Sequence, residues 1–493
     1  MHPSRSTDSP PANRWVALLV LCAGMLMIVL DVTIVNVALP SIQDDLGFTG
    51  SSLAWVVNAY LIAFGGLLML AGRLGDLTSR RGVFLAGLAV FTAASLVCGL
   101  AQSQAVLVAA RFVQGAGGAM TSAVILGMIV TMFPEPREQA KAIGIYAFIA
   151  AGGGSIGLLL GGVLTQALDW HWIFFVNVPI GIATGLLAIR LIERDAGIGL
   201  RAGADLPGAV LITSALMLAV YTIVKPAAEQ GWGSSAALAC GATSLALLVA
   251  FVGRERRASS PLIPLRILRS PTIAGTNLIQ ALSAAGMFGM FFLGSLYLRR
   301  VLGYDALQIG LSFLPMTVVM AVLSLRYADR LVMRFGARRT AISGLTLIAT
   351  GLTLFTQVPV HADFATDLLP VMLLLGLGGG ICFPAQMNLA MSTATPSDAG
   401  LTSGLVNTTA QVGGALSLAV LATLSSSRAG ALARGGVSSA AALTGGYHLA
   451  FAIAAGLVAA AVMVAVVIVP RVPRASAIAG LPDCRRDGAI RVR

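Results

Sequence analysis

Two charged residues stand inside long apolar runs and are the first candidates for chemistry. Asp31 lies in Leu30-Asp-Val-Thr-Ile-Val-Asn-Val-Ala-Leu-Pro40, and Arg111 opens Arg111-Phe-Val-Gln-Gly-Ala-Gly117. An ionisable group at bilayer depth costs roughly 2.5–3.5 kcal/mol on insertion scales and by default marks function. A carboxyl's pKa rises on burial and falls beside a cation. A carboxyl that shifts between those environments can load and release a proton, which is the chemistry Asp31 offers, with Arg111 as its tuning cation. The plainer alternatives are a packing or gating carboxylate and an arginine that snorkels to the headgroups. Asn36, Asn58, Gln114, Asn277, Gln280, Asn407 and Gln411 are embedded amides. Asn277/Gln280 and Asn407/Gln411 are spaced to share a helix face. These amides either line an aqueous substrate cavity or bond between helices.

Gly153, Gly157 and Gly161 recur every four residues, with Gly162 beside them, a small-residue face that lets helices approach closely. Gly152-x-Gly154-x-x-Gly157 matches the dinucleotide-binding spacing, but that motif requires a preceding strand, and here it falls mid-membrane. The sequence holds no Walker A, HExxH, GxSxG or Cys/His cluster. Hydrolytic and metal chemistry are therefore not expected, and neither a metal nor a cofactor is.

The elements that must position these residues follow from composition. Of 493 residues 57% are hydrophobic and 11% charged, with a mean hydropathy of +0.89. Ordinary soluble domains are about 45–50% apolar and about 25% charged. A bilayer core about 30 Å thick needs about 20 apolar residues per helix. Fourteen runs meet that length, at approximately 15–39, 53–71, 82–101, 106–132, 142–168, 172–192, 207–225, 236–253, 272–297, 307–325, 340–359, 368–390, 404–424 and 447–469. The first run is too long for a signal-peptide core and reads as a retained helix. The five cysteines show no paired spacing.

Twenty-six of the 32 Lys and Arg residues fall on the side that holds both termini, five on the other, and Arg111 alone lies within a span. Basic loops mark the cytoplasmic side, so both termini are expected inside. The net charge of +12 reports topology and not a nucleic-acid partner. On this reading Asp31 lies about 12 Å and Arg111 about 8 Å below the same outer surface. Similar depth is what a pair requires, though depth says nothing about azimuth.

The basic loops 193–206 and 254–271 divide the spans into six, two and six. The expected architecture is an all-α integral membrane protein: an N-terminal six-helix bundle (1–198), an inserted transmembrane hairpin (199–258), a C-terminal six-helix bundle (259–469) and a basic cytoplasmic tail (470–493).

With these residues in view, the chain resembles the major facilitator superfamily, specifically its fourteen-helix drug:proton antiporters. The first-span motif Leu30 to Pro40 carries much of the resemblance. Trp55 and Tyr60 fit the second span, and Gly72-Arg-Leu-Gly-Asp76 with Arg80 and Arg81 fits the loop between spans two and three. Arg111, Gln114, Gly115 and Gly117 fit the fourth span. Gly153 to Gly162 fit the fifth, and Trp170, Trp172, Phe174, Asn177, Pro179 and Gly181 the entry to the sixth. Phe383-Pro-Ala385 and Gly400 to Gln411 fit spans twelve and thirteen. Leu77 and Ser79 replace a usual Arg and Gly of the loop motif, Leu158 replaces a usual Pro of the antiporter motif, and His171 and Ala410 each replace a common Arg. Without that Pro the usual bend of the fifth span is in question.

The resemblance implies a monomeric, proton-coupled exporter of drugs or related small amphipathic molecules in the plasma membrane, working by alternating access. It implies Asp31 and Arg111 as the coupling pair, and Asp76, Arg80 and Arg81 as a cytoplasmic gate. Its partners are protons, a small-molecule substrate and lipid. A dedicated exporter or importer of one metabolite or natural product is the alternative, and a membrane enzyme or sensor without translocation is a further one.

Overall fold

The computed structural model describes residues 11–195, 197, 199, 205–258, 261–263, 269–391 and 399–468. The expected basic tail lies outside the described residues, as does Cys484. All the regular secondary structure among the described residues is helical. It forms α1 (Pro11–Leu46), α2 (Ala54–Leu77), α3 (Arg80–Gly99), α4 (Gln104–Met132), α5 (Pro136–Ala167), α6 (Trp172–Phe175) and α7 (Asn177–Leu191). Then come α8 (Leu206–Thr222), extended by a π-helical turn (Ile223–Ala227), and α9 (Ser235–Arg257). The remainder is α10 (Pro271–Arg300), α11 (Ala306–Arg326), α12 (Ala328–Phe335), α13 (Ala337–Phe355), α14 (Leu369–Met391), α15 (Ala399–Arg434) and α16 (Ser439–Val467).

Local chemistry sets the starts. Ser79, Ser103 and Ser234 accept the backbone N–H three residues on, and Asp305 forms a reciprocal box with Gln308. Each satisfies a donor that a helix start leaves orphaned. Gly336 and Gly436, both at φ +85°, turn the chain out of α12 and away from the end of α15. Only glycine takes that conformation freely.

Twelve helices among the described residues are long and apolar enough to cross a membrane. The other two expected spans are helical as well. In α5 the apolar stretch over which every residue is described is Gly153–Ala167. α13 opens on Arg338 and Arg339 and runs only 19 residues. Three further differences have local causes. The sixth span is interrupted at Val176, between α6 and α7, where Pro179 supplies no N–H to the preceding turn. α15 continues beyond the expected end at 424 through Ser425, Ser426, Ser427 and Arg428, residues too polar to register as a span but fully compatible with a helix. The amphipathic α12 was not expected. Its Met333 and Phe335 are exposed and Arg334 lies over the Phe335 ring.

The helices before α8 and those after α9 pair in the same pattern. In the first set α1 packs on α5 and α7, α4 on α2 and α3, and α3 on α7. In the second α10 packs on α15 and α16, α14 on α11 and α13, and α13 on α16. One side-chain contact repeats as well. Arg81 Nη2 donates to the Ile189 carbonyl near the end of α7 (2.6 Å), and Arg338 Nε donates to the Ala465 carbonyl near the end of α16 (2.9 Å). The two sets meet where α5 crosses α11, α2 crosses α15 and α1 touches α10. α8 and α9 pair with each other, and α8 leans on α2 and α15. α2 is the most enclosed of the spans and α9 the least. Exposed Leu238, Leu245 and Val249 make the outer face of α9 apolar, as a lipid-facing surface must be.

Candidate functional site

The two embedded charges meet. Arg111 Nη1 donates to Asp31 Oδ2 at 2.5 Å, and the side chains are 1% and 0% exposed. The matched depth read from the sequence is thus completed by the right rotation of both helices. Close packing produces that rotation. The face of α5 carrying Gly153, Gly157 and Gly161 lies against α1 on either side of Asp31, and a Cβ at Gly157 would stand 2.0 Å from Thr33 Oγ1 and 3.1 Å from the Leu30 carbonyl. Gly115 performs the same service for α4. A Cβ there would lie 2.3 Å from the Tyr60 carbonyl of α2. Gly162 faces the other way, against Ala306 and Leu307 of α11. α5 remains one helix across Leu158, without the interruption a proline would bring.

Asp31 is held from α4 and α7. Its Oδ1 accepts Gln114 Nε2 (2.7 Å) and Asn177 Nδ2 (3.1 Å). Gln114 Oε1 accepts Arg111 Nη1 (2.6 Å), and its Nε2 also reaches Ser95 Oγ (2.8 Å). Arg111 Nε donates to the Val56 carbonyl (3.0 Å). The guanidinium lies over the rings of Tyr60 (4.5 Å) and Phe174 (5.7 Å). A buried charge is tolerated when paired and hydrogen-bonded, and every element of that condition is met. Asn177 and Ser95 were not among the site residues chosen from the sequence. A neutral Asn or Ser in a span carries no anomaly of charge, so nothing flags it until its partner is known.

The amides divide. Gln114 belongs to this network and not to a cavity wall. Asn36 Nδ2 bonds back to the Val32 carbonyl of its own helix (2.9 Å). Asn58 is fully buried with neither amide atom paired. Asn277 Nδ2 bonds back to the Ile273 carbonyl and its Oδ1 accepts Thr409 Oγ1 (2.9 Å), joining α10 to α15. Gln280 is half-buried, Asn407 exposed, and Gln411 half-buried with Oε1 unpaired. In the second set, first and fourth helices meet through neutral groups. Buried Gln386 of α14 approaches Ser283 of α10 at 3.3 Å and Cys382 at 2.7 Å. Among the described residues the buried ion pair thus belongs to the first set.

The loop motif forms a second cluster at the opposite depth. Arg80 grips Asp76 Oδ1 through Nε (3.0 Å) and Nη2 (2.9 Å) and reaches the Gly127 carbonyl on α4. Asp195, just past α7, accepts Ser79 Oγ (2.6 Å) and the amides of Arg80 (2.7 Å) and Arg81 (3.1 Å). Burial alone would push the Asp195 carboxyl up, but these donors together hold it below the usual range. Ser79, the departure from the family pattern, supplies both the cap of α3 and the link to Asp195. Asp195 was missed in the sequence because an acid in a basic loop reads as solvated. At the other end of the spans, Arg300 of α10 pairs with Asp44 and donates to Gln43 Oε1 (3.1 Å) on α1, tying the two helix sets together. Among the described residues no group of three or more His, Cys, Asp or Glu could hold a metal.

The profile of the Major Facilitator Superfamily matches residues 21–418. The chain is 39% identical over 460 residues to the puromycin resistance protein pur8 of Streptomyces alboniger, covering 92% of this chain and 91% of that protein. It is 41% identical to the cephamycin export protein CmcT of Amycolatopsis lactamdurans (85% and 86%), and 34% to the tetracenomycin C resistance and export protein of Streptomyces glaucescens (84% and 77%). A bacterial homologue of the human lysosomal transporter Spinster, in an inward-facing and unoccupied conformation, shares the fold with a TM-score of 0.66 at 17% identity, over 93% of this chain and 97% of that one. The chain belongs to the Major Facilitator Superfamily and is a multi-span membrane transporter of small molecules, not an enzyme.

Proposed function

We propose that the chain is a proton-coupled exporter of antibiotics or related small amphipathic molecules. The observation that carries the reading is the Asp31–Arg111 pair, sealed at 0% and 1% exposure within the spans of a chain whose relatives are named for antibiotic resistance and export. In this conformation no water reaches Asp31, so a proton reaches it only after the first helix set opens. Protonation neutralises the carboxylate, and Arg111 then keeps Gln114 Oε1 and the Val56 carbonyl as acceptors. The guanidinium loses its counter-charge, which biases the set toward a second arrangement.

The proposed architecture has fourteen crossings, both termini cytoplasmic, and bundles 1–198 and 259–469 rocking about a cavity. The hairpin lies within 199–258. Asp76, Arg80 and Arg81 act as the cytoplasmic gate, and the Arg300–Asp44 tie must break for the far side to open. Gln280, Asn407 and Gln411, on neighbouring helices of the second set, are the proposed substrate amides, with Asn277, already bonded to Thr409, holding α10 to α15. The protein acts as a monomer. One charge moved across 100 mV is worth about 2.3 kcal/mol, or roughly fortyfold in gradient.

The experiment is efflux from proteoliposomes under an imposed pH gradient, with puromycin, a cephamycin and tetracenomycin C among the substrates. Asp31→Asn should abolish gradient-driven efflux, and undiminished coupled transport would sink the proposal. A second reading is a dedicated exporter of one natural product, favoured by relatives named for single compounds. Export of only one member of that panel would select it.

A further inference from the structure

The hairpin closes on a pair of acids that the transport site does not use. Asp205 precedes α8 and Glu255 lies in the last turn of α9, and they are 3% and 4% exposed. Asp205 Oδ1 is fully engaged. It accepts the Gly208 amide (3.0 Å), capping α8, and Arg254 Nε (3.0 Å). Its Oδ2 is buried with no hydrogen-bond partner. That oxygen faces the space over Gly208, where a Cβ would lie 2.5 Å from it and 3.2 Å from Glu255 Oε1. Both acids thus border one small volume that a glycine leaves empty. Glu255 accepts the amides of Leu262 (3.3 Å) and Ile263 (2.8 Å), tying the hairpin to the connector that leads into α10.

Among the described residues charge does not balance here: two buried carboxylates face one guanidinium, and the Arg254 side chain is 46% exposed, so solvent screens part of its charge. The surrounding elements contribute little else. α2 presents Leu67, Leu70 and Leu74, α8 presents Ala209, and the connector presents Leu262 and Ile263. Ile263 in turn packs on Ile273 of α10 and Leu405 of α15. The charged groups nearest in sequence are Arg254, Arg256 and Arg257 on α9, Arg73 on α2, Arg269 before α10, and Arg201 and Arg266, which lie outside the described residues. Two carboxylates that share a buried site resist double ionisation, and a proton on either oxygen would give the orphaned Oδ2 a hydrogen-bonding partner.

We propose that Asp205 and Glu255 together bind one proton, forming a second protonatable site at the Arg-rich end of the hairpin, independent of Asp31. Losing that proton places two negative charges at the foot of the connector.

The test uses the purified full-length chain in lipid nanodiscs and requires no transport. Infrared difference spectra at pH 7 should show a protonated-carboxyl C=O band that disappears on alkaline titration. Glu255→Gln and Asp205→Asn should each remove it, whereas Asp31→Asn should leave it in place. A site that holds its proton only in the folded chain weakens folding tenfold per pH unit as pH rises toward its midpoint. The wild type should show that slope and Glu255→Gln should not. If either amide variant fails to fold, Gly208→Ala, whose Cβ intrudes between the carboxylates, should move the titration. A band that survives Glu255→Gln or Asp205→Asn, vanishes in Asp31→Asn, ignores Gly208→Ala or is missing from the wild type overturns the proposal.

Discussion

Asp31→Asn keeps the shape of the site and removes its charge, so its cost can be worked from the contacts. The new side chain can still accept from Gln114 and Asn177 through Oδ1. An amide N–H then stands where Arg111 Nη1 now donates at 2.5 Å, and two donors face each other. A unit charge pair about 4 Å apart is worth about 4 kcal/mol at an effective dielectric of 20. Stranding one member of a buried pair costs about 3–5 kcal/mol. Arg111→Gln strands Asp31 and should cost about as much. The double variant Asp31→Asn/Arg111→Gln carries no buried charge and should recover most of the loss. Two singles of about 3–5 kcal/mol each and a double of about 1 kcal/mol give a coupling energy of about 5 kcal/mol or more in a double-mutant cycle. Reversible unfolding in bicelles measures all four corners. If the single effects add to within about 0.5 kcal/mol, as independent sites do, the two charges are not energetically coupled and the assignment of Arg111 as tuning cation fails. Under the proposed function the double variant should regain stability but not gradient-driven efflux.

The glycine face predicts a graded series. Gly157→Ala should destabilise by about 1–3 kcal/mol through overpacking, while Gly154→Ala, whose nearest contact would be Thr33 Cγ2 at 3.7 Å, should be near neutral; thermal unfolding distinguishes them. Arg300→Ala should change stability by less than about 1 kcal/mol, because the pair is partly exposed. It should nonetheless widen the separation of spin labels at Thr49 and Gly303, and the charge swap Asp44→Arg/Arg300→Asp should restore the short distance. Asp195 sits below its unfolded pKa of about 3.9, so its contribution is present above that value and lost as pH falls through the lower folded one. Melting temperature in that acid range should therefore fall less steeply in Asp195→Asn than in the wild type.

Much of the fold was legible along the chain because insertion into a bilayer is a one-dimensional constraint. Apolar length fixes where helices cross. Polar helix is invisible to the same criterion, which is why the outer end of α15 and the whole of α12 escaped it. The eleventh span falls short of the apolar standard because its helix carries Arg338 and Arg339 in its first turn.

For the site, the sequence by itself singled out the two residues whose charge is out of place in a span. Asp31 and Arg111 are too costly in a membrane to be incidental, and counting residues along each span set their depth. Only the tertiary structure decided what they touch. Whether residues some 80 positions apart face each other depends on the rotation of each helix about its own axis. That rotation is fixed by packing, here by Gly157 against Thr33 and Gly115 against Tyr60, and hydropathy carries no record of it. The same rotation drew Gln114 out of the supposed cavity and into the carboxylate's shell. It brought in Asn177 and Ser95, whose neutral side chains become meaningful only beside a buried charge.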